Sequence, residues 1–224
     1  TLWHTLSLHD ALPISAASSQ PEPDGRRFRA LAVGASAGGM QALIETLGPL
    51  PADFGLPVLI AQHLHPSDGG RLASHLDERL ALRVVEAEDK QPAAAGCVHL
   101  APADYHLLVE RDGSLALSVD AKVNHSRPSI DVLFDSAARA YGEALIGAVL
   151  TGASDDGAAG LAAIERLGGL CLVQDPDGAD SPFMPQAALE RTPGARVLAP
   201  AAMGALLLRL AGGRAAAEPL RDET

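Results

Sequence analysis

Short, nearly uninterrupted apolar runs recur along the chain, and stretches with helical spacing stand between them. Residues 28–33, 57–61, 97–101, 144–150, 170–173 and 195–198 are the runs. A strand that is apolar without alternation is buried on both faces, which is the habit of strands in a parallel sheet. The intervening stretches predict helices over residues 38–47, 71–82, 128–141, 158–167, 185–191 and 201–210. In the third of these, Ile130, Leu133, Phe134, Ala137 and Tyr141 fall on one face. Gly48-Pro49 and Gly168-Gly169 close two of the helices. Strands that alternate with helices in this way imply an α/β fold: three layers, with a doubly wound, mostly parallel sheet covered by helices on both faces. Residues 105–109 and 115–119, separated by Arg111-Asp112-Gly113-Ser114, predict a small antiparallel hairpin added to it. Aromatic residues make up only 3% of the chain, so the core must be built from Ala, Leu, Val and Ile.

The periodic pattern begins near residue 28 and ends near residue 212, which sets one domain over 28–212. Residues 15–27 are rich in Ser, Pro, Asp and Arg and read as a linker, and residues 1–15 look like a translated sequencing adapter joined to the gene. Residues 1–27 are therefore expected to be a disordered or artefactual tail, and residues 213–224 a flexible one. The net charge of −11 argues against nucleic acid as the main partner, since phosphate binding needs a surplus of Lys and Arg. No apolar run approaches the roughly 20 residues that would span a bilayer, so direct membrane insertion is not expected. Cys97 and Cys171 lie far apart in apolar runs and read as reduced, buried thiols, which fits a cytoplasmic location.

In an open parallel sheet, ligands bind at the carboxyl ends of the strands, so the polar residues just after each strand are the informative ones. The first strand is followed by Gly34-Ala35-Ser36-Ala37-Gly38-Gly39. Ser36 there can be a helix cap, part of a phosphate cradle, or a nucleophile. The glycines fit neither a dinucleotide-binding register nor a Walker loop. The second strand is followed by Gln62-His63-Leu64-His65-Pro66. His63 and His65 lack a third ligand at metal-binding spacing, so no metal and no cofactor is expected; His63 can serve as a general base. The strand over 144–150 leads into Thr151-Gly152-Ala153-Ser154-Asp155-Asp156-Gly157. Adjacent carboxylates at a helix start usually complement the helix dipole, but a buried one can instead orient a histidine. A serine hydroxyl needs a base, and the base an orienting group; Ser, His and Asp after three strands supply all three. Their order differs from that of α/β-hydrolases, whose nucleophile elbow is also missing.

With these residues in view, the sequence resembles the catalytic domain of the CheB-type chemotaxis protein-glutamate methylesterases. The matching segments are Val33-Gly34-Ala35-Ser36-Ala37-Gly38-Gly39, Gln62-His63-Leu64-His65-Pro66, Ala101-Pro102-Ala103-Asp104-Tyr105-His106-Leu107, Asn124-His125-Ser126-Arg127-Pro128-Ser129-Ile130-Asp131, Leu150-Thr151-Gly152-Ala153-Ser154-Asp155-Asp156-Gly157, and Gln174-Asp175 with Met184-Pro185. The resemblance implies a cofactor-free serine hydrolase with Ser36 as nucleophile, His63 as base and Asp156 as the orienting carboxylate. Backbone N–H groups at Ala37 and Ala153 would hold the oxyanion, and His125 and Arg127 would line the substrate groove. It implies hydrolysis of glutamate methyl esters on the cytoplasmic helices of methyl-accepting chemoreceptors, deamidation of receptor glutamines, and a methyltransferase as counterpart. Residues 1–27 are too few for the receiver domain that the family's regulatory members carry. The family pattern has Thr where this chain has Ala37, and Met-Gly where it has Ala153-Ser154. Those departures motivate the alternative expectation, a weakly active or non-catalytic signalling domain of the same fold.

Overall fold

A computed structural model describes residues 27–212. The expected tails over residues 1–27 and 213–224 lie outside the described residues, Arg27 apart. Seven strands form one parallel sheet: β1 (Ala30–Ala35), β2 (Val58–Gln62), β3 (Arg83–Glu86), β4 (Cys97–Leu100), β7 (Leu145–Val149), β8 (Leu170–Gln174) and β9 (Arg196–Leu198), in the order β3-β4-β2-β1-β7-β8-β9. β5 (His106–Val109) and β6 (Leu115–Ser118) pair antiparallel as a separate two-stranded sheet. The expected hairpin is therefore present but does not extend the main sheet.

The helices are α1 (Gly39–Leu47), α2 (Arg71–Asp77), α3 (Ile130–Tyr141), α4 (Ala158–Arg166), α5 (Phe183–Arg191) and α6 (Pro200–Gly212). On one face of the sheet, Leu43 and Leu47 of α1, Leu72 and Leu76 of α2, and Met203 and Leu207 of α6 pack onto Leu31, Val33, Val58 and Ile60. On the other, Phe134 of α3, Leu161 of α4, Met184 of α5 and Leu107 and Leu115 of the hairpin pack onto Ala32, Leu59 and Val149. Every residue of β1, β2 and β7 is buried, as their unbroken apolar composition predicts. With aromatics so scarce, this core of aliphatic side chains leaves Phe134 among the largest fully buried groups.

Three local expectations are corrected. α2 stops at Asp77 rather than continuing to residue 82, because the Asp77 carboxylate turns back to accept from Val84 N at 2.8 Å. Leu80 and Leu82 remain buried from the following loop. β3 was not anticipated, since only Val84 of its four residues is fully buried and the run is too short to show a period. α5 begins at Phe183, so Pro185 falls in its first turn, where the missing N–H has no intrahelical partner to lose.

The chain winds outward from β1 in both directions, so the strand order reverses between β1 and β7. The ends of β1, β2 and β7 meet there: His63 N donates to Ala35 O at 3.1 Å and Ser36 N to Thr151 O at 2.9 Å, carrying the ladder past the last strand residues. This is where a doubly wound sheet opens a crevice.

Candidate active site

Ser36 leaves β1 at the turn into α1 and is half-buried. Thr151, itself buried, braces this turn: its Oγ1 donates to Ala37 O at 2.9 Å and accepts from Ser181 N at 2.8 Å. A groove of about 720 Å³ opens beside Ser36, with Met40, Leu64, Leu72, His75 and Asp180 along its walls. The backbone N–H groups of Ala37 and Ala153 donate to no group among the described residues, and both residues are exposed.

His63 follows β2, its side chain 16% exposed, and its Nε2 lies 2.7 Å from Asp156 Oδ2. Asp156 is completely buried, whereas Asp155 is exposed, so of the two adjacent carboxylates the one that His63 contacts is the buried Asp156. An isolated buried carboxylate would favour its neutral form. Here five donors converge on it. Oδ2 accepts from His63 Nε2 and from Ile130 N at 2.8 Å. Oδ1 accepts from Asn124 Nδ2 at 2.9 Å, Ser129 Oγ at 2.8 Å and Asp131 N at 3.1 Å. Burial raises the Asp156 pKa, but the hydrogen bonds from His63, Ile130, Asn124 and Asp131 outweigh it and hold the group below the ordinary aspartate value. Asp156 is therefore an anion at neutral pH. It draws the imidazole proton onto Nε2 and leaves the Nδ1 lone pair as the basic nitrogen. No hydrogen bond joins the Ser36 hydroxyl to His63 among the described residues; catalytic contacts of this kind commonly tighten only once substrate is bound.

The origin of these donors was not visible in the sequence. Asp156 precedes α4, and adjacency suggests that it caps α4. Instead it accepts the free N–H groups of α3. In return Asp131, in the first turn of α3, accepts from Gly157 N at 3.0 Å and from Gly160 N at the start of α4. The two helices thus exchange caps, and Asn124 Nδ2 bridges the two carboxylates, 2.8 Å from Asp131 Oδ2. Gly157, at φ 96°, makes the exchange fit: a Cβ there would come within 2.7 Å of Ile130 Cγ2. Asp131 is less well compensated. Burial, and the nearby Asp156 charge, raise its pKa despite these donors.

His125 and Arg127, the two expected groove residues, lie on the loop that precedes α3. His125 is exposed beside Asn124, in a turn where both have positive φ, 61° and 49°. Arg127 is not a free cation. Its Nε and Nη2 bind Asp104 Oδ1 at 3.1 and 2.9 Å, and its Nη1 binds the carbonyls of Val119 and Asp120 at 2.7 and 2.9 Å. The guanidinium thereby clamps the loop that carries Asn124. Asn124, Ser129, Asp131, Gln62 and Thr151 were missed as individual site residues. Their only sequence signal was membership of the segments that carry the family resemblance.

Among the described residues no group of three or more His, Cys, Asp or Glu could hold a metal ion, and no helix is long and apolar enough to cross a membrane.

Comparison with known proteins identifies the family. A candidate protein-glutamate methylesterase/protein-glutamine glutaminase of Leptospira interrogans is 42% identical over 183 residues, covering 82% of this chain and 95% of that protein. A protein-glutamate methylesterase/protein-glutamine glutaminase of Symbiobacterium thermophilum is 40% identical over 147 residues, but the chain spans only 41% of its length. The crystal structure of the Thermotoga maritima CheB methylesterase catalytic domain superposes with a TM-score of 0.78 at 30% identity, covering 83% of this chain and 100% of that one. With the family model for CheB methylesterase matching residues 31–207, the chain belongs to the CheB methylesterase family.

Proposed function

We propose that this chain is a serine esterase that removes methyl groups from glutamate side chains of chemoreceptors, with Ser36, His63 and Asp156 as its catalytic triad. The observation that carries the reading is the 2.7 Å contact between His63 and a buried, ionised Asp156, placed one strand from Ser36 at the sheet's switch point. In acylation, Ser36 Oγ attacks the ester carbonyl while its proton passes to His63 Nδ1. The negative charge on the carbonyl oxygen falls to the N–H groups of Ala37 and Ala153. Collapse breaks the C–O bond, and His63 returns the proton to methanol. Water then attacks the acyl-serine with the same base, releasing the glutamate and restoring the hydroxyl. A glutamine side chain enters the same sequence with ammonia as leaving group.

The partners are the cytoplasmic helices of methyl-accepting receptors, which places the protein in the cytoplasm, with a receptor methyltransferase as its counterpart. The unbroken His63–Asp156 pair and the unused N–H groups at Ala37 and Ala153 support an active enzyme over a degraded signalling domain. Ser36→Ala is expected to abolish methanol release from methylated receptor and labelling by a fluorophosphonate probe, with the thermal melt unchanged. Release at the wild-type rate by the folded mutant would remove the assignment.

A further inference from the structure

Gln62 closes β2 and is buried to 6% exposure. Its Nε2 donates to Ser36 O at 2.9 Å and to His63 O at 3.1 Å. Ser36 O belongs to the same peptide plane as the Ala37 N–H. In a trans peptide the two bonds point in opposite directions, so a donor that fixes the carbonyl on one side aims the N–H on the other. Gly39 N, at 2.9 Å, is the second donor to this oxygen. A peptide whose carbonyl accepts two hydrogen bonds also has a more polarised N–H. The other half of the Gln62 amide bond set, to His63 O, ties the backbone of the base to the same side chain.

The rest of the amide argues that this is not merely packing. Gln62 Oε1 is buried and has no hydrogen-bond partner among the described residues. It lies against Gly39, where a Cβ would collide with it. An unpaired buried acceptor is unfavourable, and an apolar side chain of the same length would avoid it. What an apolar side chain cannot supply is the donor that joins the nucleophile's peptide to the base's.

We propose that Gln62 is a positioning residue that sets the oxyanion donor at Ala37 and the backbone of His63 together; this rests on the esterase reading above. The test compares Gln62→Met, which keeps length but no donor, and Gln62→Asn, which keeps an amide too short to span both carbonyls. Each is assayed on methylated receptor, with rates divided by the fraction of protein that a fluorophosphonate titrates to completion and with a thermal melt to verify folding. The expected result is a fall in kcat per titrated site on the order of 10²-fold, the usual scale for loss of an oxyanion donor, with KM within about threefold of wild type. A residue that serves only the fold would lower the titratable fraction and leave kcat per site unchanged. Wild-type kcat per site in either folded variant overturns the proposal, and if only one variant folds, that one decides. Ser36→Ala, whose rate is taken per mole of folded protein because the probe has no serine to label, separates the two failures: an inactive Ser36→Ala beside a fully active Gln62→Met sinks the positioning role alone, whereas an active Ser36→Ala sinks the triad.

Discussion

Asp156→Asn is the substitution that most directly questions the site, because it keeps the shape of the side chain and changes only its charge and one acceptor. Oδ2 receives two donors, His63 Nε2 and Ile130 N, and Oδ1 receives three, from Asn124, Ser129 and Asp131. An amide NH2 must replace one oxygen. It conflicts least at the Oδ2 position, where it faces two donors rather than three. His63 then escapes the clash by moving its proton to Nδ1, so that Nε2 accepts. That tautomer has no lone pair for the serine proton. Losing the correct tautomer while the geometry stays intact costs on the order of 10⁴-fold in kcat in the well-studied serine protease case, equivalent to about 5 kcal/mol of barrier. The stability effect is separate. Ile130 N is left facing a donor at the start of α3, and the remaining hydrogen bonds lose their charge. At about 1–3 kcal/mol for each buried group left unsatisfied, the mutant should be destabilised by about 2–4 kcal/mol. Methanol release per titrated site reads the first quantity and urea unfolding the second. A folded Asp156→Asn enzyme with kcat within tenfold of wild type would refute the orientation argument. Unchanged stability would refute the claim that Asp156 caps α3.

Further outcomes follow from the same network. Asp156 is held below its unfolded pKa, so its contribution is complete above about pH 4 and is lost as the pH falls through the folded value. The stability gap between wild type and Asp156→Asn, measured by urea melts from pH 7 downward, should therefore narrow in acid; a constant gap contradicts the assignment. Asp131 is displaced the other way, so folding favours its protonated form and the wild type loses that contribution as pH rises through the folded value. In Asp131→Asn this loss is absent, so stability in the same melts should fall less between pH 4 and 7 than in wild type; an equal fall would show that Asp131 titrates alike in both states. Arg127→Ala removes the clamp on Asp104 and on two carbonyls of the Asn124 loop and, discounted for the partial exposure of the pair, should cost about 1–2 kcal/mol in a thermal melt. A melt shift indistinguishable from zero would mean that the loop needs no such anchor. Cys171 is buried and its thiol is pushed up to about 12 by burial and by Glu165, so its thiolate fraction at pH 8 is on the order of one in ten thousand. A thiol reagent should label neither Cys171 nor the buried Cys97 until the protein unfolds.

How far the sequence reached depended on the range of the interaction involved. That Ser36, His63 and Asp156 lie at one sheet edge was legible because each follows a strand whose unbroken apolar run marks it as central, and a parallel sheet brings the ends of its central strands to one edge by topology alone. β3 was not legible: the pattern Arg83-Val84-Val85-Glu86 gives a single buried residue to a pairing that β4 dictates from outside. The support of Asp156 was hidden for a related reason. Whether Asp156 caps its own helix or its neighbour is settled by how α3 and α4 cross, and the residues that decide it are 25 positions or more apart in the chain. Read locally, Asp131 and Asp156 are two ordinary acidic helix starts; only their exchange makes one of them an anion able to hold His63. The same holds for Arg127, whose anchoring of the Val119 and Asp120 carbonyls has no local sequence signal. A candidate triad can therefore be named from strand ends, while the contacts around it, such as those of Asn124 and Gln62, become visible only when distant turns are brought together.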